Sequence, residues 1–307
     1  VMPGEIITFT DNGNTQLSTK YWNIKNEATR KIKNLARTSN EYISLAENII
    51  DQAVDEQMAS DVPLGAFLSG GIDSSLIVSS MQKHSSQPVD TFSMGFGGVG
   101  DETQQAKEIS NHLGTNHHTL ICTPQDLLNE VDGLSQIYCE PFADSSQIPT
   151  ILLTRLVSKH VTVCLSGDGG DELFGGYSRY LAAPMFAKKI LKLPLGLRKI
   201  LAHFLTILPT EKLADTLNKL DKYFPAAMKQ SDYGAKIEKI IKILPIISTE
   251  DYFHELTRHW KASDILKYID QQAELEIRQF KDPYNNFISN MMFNDITNYL
   301  ESDILVK

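Results

Sequence analysis

Cysteine is scarce in this chain of 307 residues. Cys122, Cys139 and Cys164 are the full set, and none of them forms a C-x-x-C pair. Three dispersed thiols cannot make the paired framework that small secreted domains rely on. No N-x-S/T glycosylation acceptor occurs. Positive charge is also in short supply, with 29 Lys and Arg against 38 Asp and Glu and a formal charge of −9. A pI near 5.4 argues against a duplex nucleic-acid binder, because neutralising phosphates needs a basic face. Long hydrophobic runs are missing as well: none approaches the ~18 apolar residues that span a bilayer. Val1-Met2-Pro3-Gly4 puts no basic segment ahead of an apolar one, so no secretory signal is expected. What remains is ordinary globular composition, 42% hydrophobic and 22% charged, with length for one large domain or two small ones. The expectation is a soluble, cytoplasmic protein of mixed class, with no nucleic-acid and no membrane partner.

The chain opens on a predicted strand, Pro3 to Thr10, and a turn at Asp11-Asn12-Gly13-Asn14. A polar stretch of weak periodicity through Tyr21-Trp22 to Asn40 reads as a linker. From Glu41, apolar residues at Ile43, Ala46, Ile49, Ile50, Ala53 and Val54 recur at helical spacing. Strands and helices then alternate. Predicted strands cover Val62–Leu68, Val89–Phe96, His117–Ile121 and Val161–Leu165; predicted helices cover Ser75–Lys83, Glu102–Leu113, Pro124–Tyr138 and Ile148–Lys159. That alternation predicts βαβ units, a doubly wound parallel sheet covered on both faces, and ligands at the carboxyl ends of its strands. Beyond Tyr180 the pattern is helical throughout, broken at Pro194, Pro209, Pro225, Pro245 and Pro283. The expected divisions are residues 1–40 as an exit strand and linker, 41–180 as the sheet core, and 181–307 as a helical region.

The sharpest local feature is Leu68-Ser69-Gly70-Gly71-Ile72-Asp73-Ser74-Ser75, set between a strand and a helix. Two glycines permit a tight turn and leave backbone N–H groups open to anionic oxygens. Ser69, Ser74 and Ser75 add hydroxyls, and the following helix offers its positive end. Asp73 would repel phosphates unless it holds Mg²⁺. A capped strand-to-helix turn accounts for one glycine and one capping side chain, not for three hydroxyls and a carboxylate so close together. The Gly-Lys-Ser/Thr end of a Walker A loop is absent, which points to pyrophosphate leaving as a unit, hence to adenylation.

A second glycine-rich turn, Ser166-Gly167-Asp168-Gly169-Gly170-Asp171-Glu172, follows the strand that ends at Leu165. In a parallel sheet both loops open at one edge, where Asp73 and Asp171 could share a Mg²⁺, an ion that commonly takes one or two carboxylates plus phosphate oxygens. The twelve-residue ligand spacing of a calcium loop is missing. A solvated acidic turn is the plain alternative.

Taken together, Ser-Gly-Gly-Ile-Asp-Ser-Ser and Ser-Gly-Asp-Gly-Gly-Asp-Glu-Leu-Phe-Gly-Gly-Tyr resemble the synthetase domain of glutamine-dependent asparagine synthetases. Asp101-Glu102, His112 to His118, Glu140 to Ser146, and Tyr299 to Lys307 agree with it, as does Pro3-Gly4 with Tyr21-Trp22. The resemblance implies an adenine nucleotide alpha hydrolase-like fold and an ATP pyrophosphatase core. It also implies a reaction: ATP and aspartate give β-aspartyl-AMP and pyrophosphate, and ammonia then gives asparagine. It assigns the pyrophosphate cradle to Ser69, Gly70, Gly71, Ser74 and Ser75, Mg²⁺ to Asp73 and Asp171, and adenine and ribose contacts to Leu68 and Met94. Ser166 and Gly167 touch the nucleotide from the other side, and Asp168 stands where an acidic residue is tied to forming the acyl-adenylate. Family members carry an amino-terminal glutaminase domain that supplies ammonia, and further basic active-site residues beyond the last residue here. The chain is therefore expected to be a fragment, with a homodimer as the expected assembly. Another acceptor carboxylate, such as a uronic acid on a sugar nucleotide, and nucleotide binding without turnover are the competing readings.

Three patterns mislead. Gly95-Phe96-Gly97-Gly98-Val99-Gly100 fits G-x-G-x-x-G, but no acidic residue lies between Leu113 and Gln125 to hold a ribose. His254 and His259 are five apart, not the four of a zinc helix. His117 and His118 are adjacent and must face opposite sides of a strand, one packed and the other near a loop. Lys188 to Lys199 reads as a helix with a solvated basic face.

Overall fold

The computed structural model describes residues 1, 3–10, 13, 15–27, 38–98, 101–139, 144–207, 233–257 and 286–307. Asp11, Asn12 and Asn14 of the expected turn, Val99-Gly100, Glu140 to Ala143, His259, and the breaks at Pro209, Pro225 and Pro283 lie outside them. The chain forms two compact units, one of residues 1–176 with 293–307 and the other of residues 177–292.

The first unit opens on an antiparallel hairpin. Strand β1 (Glu5–Thr10) pairs with β2 (Thr15–Lys20), from Glu5 opposite Lys20 to Thr10 opposite Thr15. The polar stretch expected as linker thus begins with a strand. Thr15-Gln16-Leu17-Ser18-Thr19-Lys20 has only one apolar residue, so hydrophobic alternation could not reveal it, and it forms by pairing with β1. Helix α1 (Ser39–Met58) starts at a capping box. The Thr38 hydroxyl accepts from the Glu41 N–H at 3.4 Å, and the Glu41 carboxylate accepts from the Thr38 N–H at 2.7 Å.

Four parallel strands follow: β3 (Leu64–Phe67), β4 (Asp90–Gly95), β5 (Asn116–Ile121) and β6 (Val163–Leu165). Their order across the sheet is β5-β4-β3-β6. The first three parallel strands run one way from the middle and the fourth pairs on the other side, which is the doubly wound order with its reversal between β3 and β6. Ala66 stands opposite Thr91 on one side and Leu165 on the other, so the loops after β3 and β6 leave the sheet at the same level.

Alternation along each strand builds two cores. Ala66 and Leu68 pack with Val54 of α1, Val78 and Met81 of α2 (Ile72–His84), and Ala106 of α3 (Thr103–Leu113). On the other side Phe92 packs with Val161 and with Val157 of α6 (Gln147–Val157), next to Phe67 and Cys164. The predicted helix over 124–138 is divided. Helix α4 (Pro124–Glu130), a 3₁₀ turn at Val131–Gly133 and the short α5 (Leu134–Ile137) replace it. Gly133 in the middle weakens a continuous helix.

Helix α7 (Gly170–Phe174) follows β6. The described part of the second unit is helical, with α8 (Ser178–Leu191), α9 (Leu195–Ile207), α10 (Tyr233–Ile243), α11 (Thr249–Thr257) and most of α12 (Phe287–Asn294). Its core gathers Tyr180, Ala183, Ala187, Ile243, Phe253 and Met291. Pro184 sits inside α8, a break signal that does not end the helix. The basic run also departs from expectation. Arg198 is buried, and its guanidinium donates to the carbonyls of Leu193, Leu244 and Ile246. It satisfies chain ends after α8 and α10 instead of facing water. A π-helical segment, Asp295–Ile304, returns the chain to the first unit.

Candidate active site

Beyond β3 the chain turns sharply into α2. Leu68 is buried in the core and its N–H donates to the Phe92 carbonyl at 2.8 Å. It can therefore offer a ligand only its main chain. Gly70 has φ +86°, and a Cβ there would lie 3.0 Å from Gln105 Cβ and 3.1 Å from the Ala106 nitrogen. Gly71 is the N-cap of α2 and no side chain caps this turn. The Ser69 and Ser74 hydroxyls face each other at 3.0 Å, the Gly71 N–H donates to Ser69 Oγ at 3.3 Å, and Ser75 Oγ donates to the Gly71 carbonyl at 2.6 Å. The loop is thus a small hydroxyl-lined bowl at a helix start, where the helix dipole and open N–H groups favour an anion.

The loop after β6 lies directly against it. A Cβ on Gly167 would sit 2.8 Å from the Ser74 nitrogen and 3.0 Å from the Asp73 carbonyl carbon. One on Gly170 would sit 2.6 Å from Asp73 Cγ. Ser166 Oγ donates to Asp168 Oδ2 at 2.9 Å, and Asp168 is exposed. Asp171, next to Gly170, turns its carboxylate against Gly176, whose N–H donates to the Asp171 carbonyl at 3.0 Å. Asp73 and Asp168 therefore both border the cavity at the reversal of the sheet, and Asp171 follows on the same loop as Asp168 with its carboxylate toward Gly176. Among the described residues no three His, Cys, Asp or Glu side chains form a metal cluster. A cation here would take one or two carboxylates and complete its shell from phosphate oxygens and water, the donor set that suits Mg²⁺. Two carboxylates brought by two touching loops fit that requirement.

Beside the contact lies a cavity of about 250 Å³, walled by Ile50 and Ala53 of α1, Leu76 and Ile77 of α2, and Leu173 and Phe174 of α7, with Asp73 and Asp168 at its rim. Sequence reasoning missed this cavity, because its walls come from three separate helices.

Met94, near the end of β4, is half-buried. The loop after it is pinned by Asp101, which accepts from the Gly97 N–H at 2.7 Å, the Thr103 N–H at 2.8 Å and the Thr103 hydroxyl at 2.5 Å. These bonds, the Thr103 hydroxyl foremost, hold the Asp101 carboxyl below its ordinary value. His117 points to the α3 side, bonded to Thr91 and Ser93, while His118 pairs with Asp90 at 3.0 Å and stacks on Phe92. Cys164 is no nucleophile: burial pushes its thiol up to about 12. The Lys307 ammonium donates to Ser146 Oγ at 2.9 Å and lies 3.3 Å from the Asp144 carboxylate. Nothing in the sequence pattern links these residues.

A family model described as Asparagine synthase matches residues 45–307. The chain belongs to the asparagine synthase family. Asparagine synthetase [glutamine-hydrolyzing] 1 of Bacillus subtilis is 30% identical over 309 residues, covering 100% of this chain and 45% of that protein. The putative asparagine synthetase [glutamine-hydrolyzing] 2 of Methanocaldococcus jannaschii is 44% identical over 140 residues, covering 45% of this chain and 27% of its own. The chain thus spans about half the length of the curated relatives it matches. An NH3-dependent NAD synthetase from Campylobacter jejuni aligns with 70% of this chain and 96% of its own, at 11% identity and a TM-score of 0.31. That value is too low to bear on the argument. For this asparagine synthase family member, the doubly wound fold rests on the strand order itself.

Proposed function

We propose that this chain is the ATP-dependent synthetase part of a glutamine-hydrolysing asparagine synthetase, with residues 1–40 as the exit from a glutaminase domain. The observation that carries the reading is the close contact of the two glycine-rich loops at the sheet reversal, where Gly167 lies on the main chain at Ser74 and Gly170 on the side chain of Asp73. An oxygen of the aspartate side-chain carboxylate attacks the α-phosphorus of ATP. The bond from that phosphorus to the bridging oxygen breaks, and pyrophosphate leaves with the electron pair. Ammonia then attacks the acyl carbon, AMP departs, and loss of a proton leaves the amide. The N–H groups at the start of α2 and the hydroxyls of Ser69, Ser74 and Ser75, with the bare Cα atoms of Gly70 and Gly71 between them, bind the leaving pyrophosphate. Met94, the Leu68 main chain, Ser166 and Gly167 border the nucleoside, and Asp168 stands at the rim where the acyl group forms.

Asp73 and Asp171 would hold Mg²⁺, which when bound neutralises charge building on the pyrophosphate. Neutral ammonia must reach the activated carboxylate ahead of water, and the apolar walls beside Asp73 and Asp168 suit an uncharged nucleophile. The test uses aspartate labelled with ¹⁸O in its carboxylates, together with ATP, Mg²⁺ and ammonia. Label in AMP, read by mass spectrometry, is the expected result. ADP as product, or AMP without label, overturns the reading.

A further inference from the structure

The two glycines of the second loop that touch Asp73 meet different parts of it. A Cβ on Gly167 would strike the main chain of α2, 2.8 Å from the Ser74 nitrogen and 3.0 Å from the Asp73 carbonyl carbon. Main chain in the first turn of a helix cannot yield without unwinding it. The three atoms nearest a Cβ on Gly170 all belong to the Asp73 side chain, with Cγ at 2.6 Å, Oδ1 at 2.9 Å and Cβ at 3.0 Å. Cγ yields by rotation about χ1, which carries the carboxylate with it, and Cβ needs to give by only a few tenths of an ångström. Neither position requires a positive φ: the left-handed glycine of this turn is Gly169, at +91°. Backbone conformation therefore does not explain why Gly167 and Gly170 lack side chains, whereas the space occupied by α2 and by the Asp73 carboxylate does.

We propose that Gly170 is a positioning residue whose bare Cα sets the direction of the Asp73 carboxylate, while Gly167 sets the spacing of the two loops. This rests on the reading of Asp73 as a cation ligand and names what orients that ligand. The division of labour is specific. Gly167→Ala forces the loops apart and lowers the stability of the sheet unit. Gly170→Ala leaves the fold intact and turns the carboxylate away from the direction it holds now.

The experiment titrates this chain and its variants into Mn²⁺·ATP and follows water proton relaxation, with Mn²⁺ standing in for Mg²⁺. Circular dichroism and urea midpoints serve as the fold control. Asp73→Asn is expected to weaken Mn²⁺·ATP binding at least tenfold. Gly170→Ala should weaken it several-fold, with its urea midpoint within a few tenths molar of the parent. The double variant should bind no more weakly than Asp73→Asn alone, because Gly170 acts through the carboxylate. If Asp73→Asn binds like the parent, the metal reading of the site fails and takes the proposal with it. If Asp73→Asn weakens binding and Gly170→Ala does not, the proposal alone falls. Additive losses in the double variant would place the effect of Gly170 elsewhere and overturn it too. Should Gly170→Ala unfold the chain, the contact is not relieved by carboxylate rotation, and the proposal is equally overturned.

Discussion

His117 shows how hydrogen-bond direction at a single residue can be worked out from its neighbours. Ser110 Oγ donates to the Thr115 carbonyl at 3.4 Å, and Thr115 Oγ1 donates to Ser110 Oγ at 2.8 Å. With the Thr115 proton committed, Thr91 must donate across the 3.1 Å contact to Thr115, and so accepts from His117 Nδ1 at 2.9 Å. Ser93 Oγ lies 3.0 Å from His117 Nε2 and 3.4 Å from Thr119 Oγ1, and its single proton serves His117 Nε2 when it gives up the longer bond to Thr119. Long-range ¹H–¹⁵N correlation should find the Nδ1–H tautomer, and Thr91→Val should invert it; an Nε2–H tautomer in the parent would refute the chain of donors. Burial, with the charges of His118 and Lys107 adding to it, lowers the His117 pKa from its ordinary value of 6.5. The folded state therefore favours neutral imidazole. Its stability is full above pH 6.5 and falls as pH drops from there through the lowered value, because the unfolded chain takes up the proton first. His117→Gln should flatten the urea midpoint across that window. Gly70→Val belongs at this scale as well. A valine there meets a positive φ and the start of α3, so it should cost stability as well as nucleotide binding, and a parent-like melting temperature would contradict the packing.

Among the elements, β4 carries most of the burden because it packs on both faces and pairs on both edges. Phe92 is fully buried and stacks on His118 at 5.0 Å. Phe92→Ala should cost about 4 kcal/mol in chemical unfolding; a loss under about 1 kcal/mol would mean the core closes around the gap. Helices α1 and α2 are tied by Asp51, which accepts from Lys83 at 2.7 Å and Ser80 at 2.6 Å and meets His84 at 3.1 Å. Lys83 foremost, then Ser80, hold its carboxyl well below the ordinary carboxylate range, so the stability this tie contributes is full above the ordinary carboxylate pKa and falls as pH drops from there through the lowered value. In the second unit Arg198→Met would leave three carbonyls without their donor. The expected loss is about 3 kcal/mol by urea unfolding, and a neutral result would show that water replaces the guanidinium.

Seen as a whole molecule, the sheet unit is discontinuous, since residues 293–307 return to it after the helical unit. Leu300 of the π-helical segment packs on Gly169 of the acidic loop. At the end of that segment Lys307 meets Asp144, with only 15% and 10% of the two side chains exposed. Burial would raise the Asp144 pKa, but the Ser146 N–H and hydroxyl together with the Lys307 ammonium outweigh it and hold the carboxyl low. Lys307→Met strands a buried carboxylate and should cost about 3 kcal/mol; the check is the unfolding free energy at neutral pH. The same variant should raise the Asp144 pKa, visible in the side-chain carbonyl shift.

By itself the sequence determined the alternation of strands and helices, the two glycine-rich loops and the family. Each is a local pattern: period-two apolar runs, helical spacing from Ile43 to Val54, and glycine with hydroxyl and carboxylate in short order. It did not disclose β2, whose six residues form a strand only by hydrogen bonding to β1. Nor did it show that Arg198 turns inward, because a guanidinium in a basic run faces water unless carbonyls from other chain ends converge on it. Tertiary structure alone decided that Gly167 and Gly170 lie on α2, that Lys307 reaches Ser146 across 161 positions of sequence, and that three helices line the cavity beside Asp73. Periodicity records which face of an element is apolar, not which distant residue arrives there. The site depends on those arrivals.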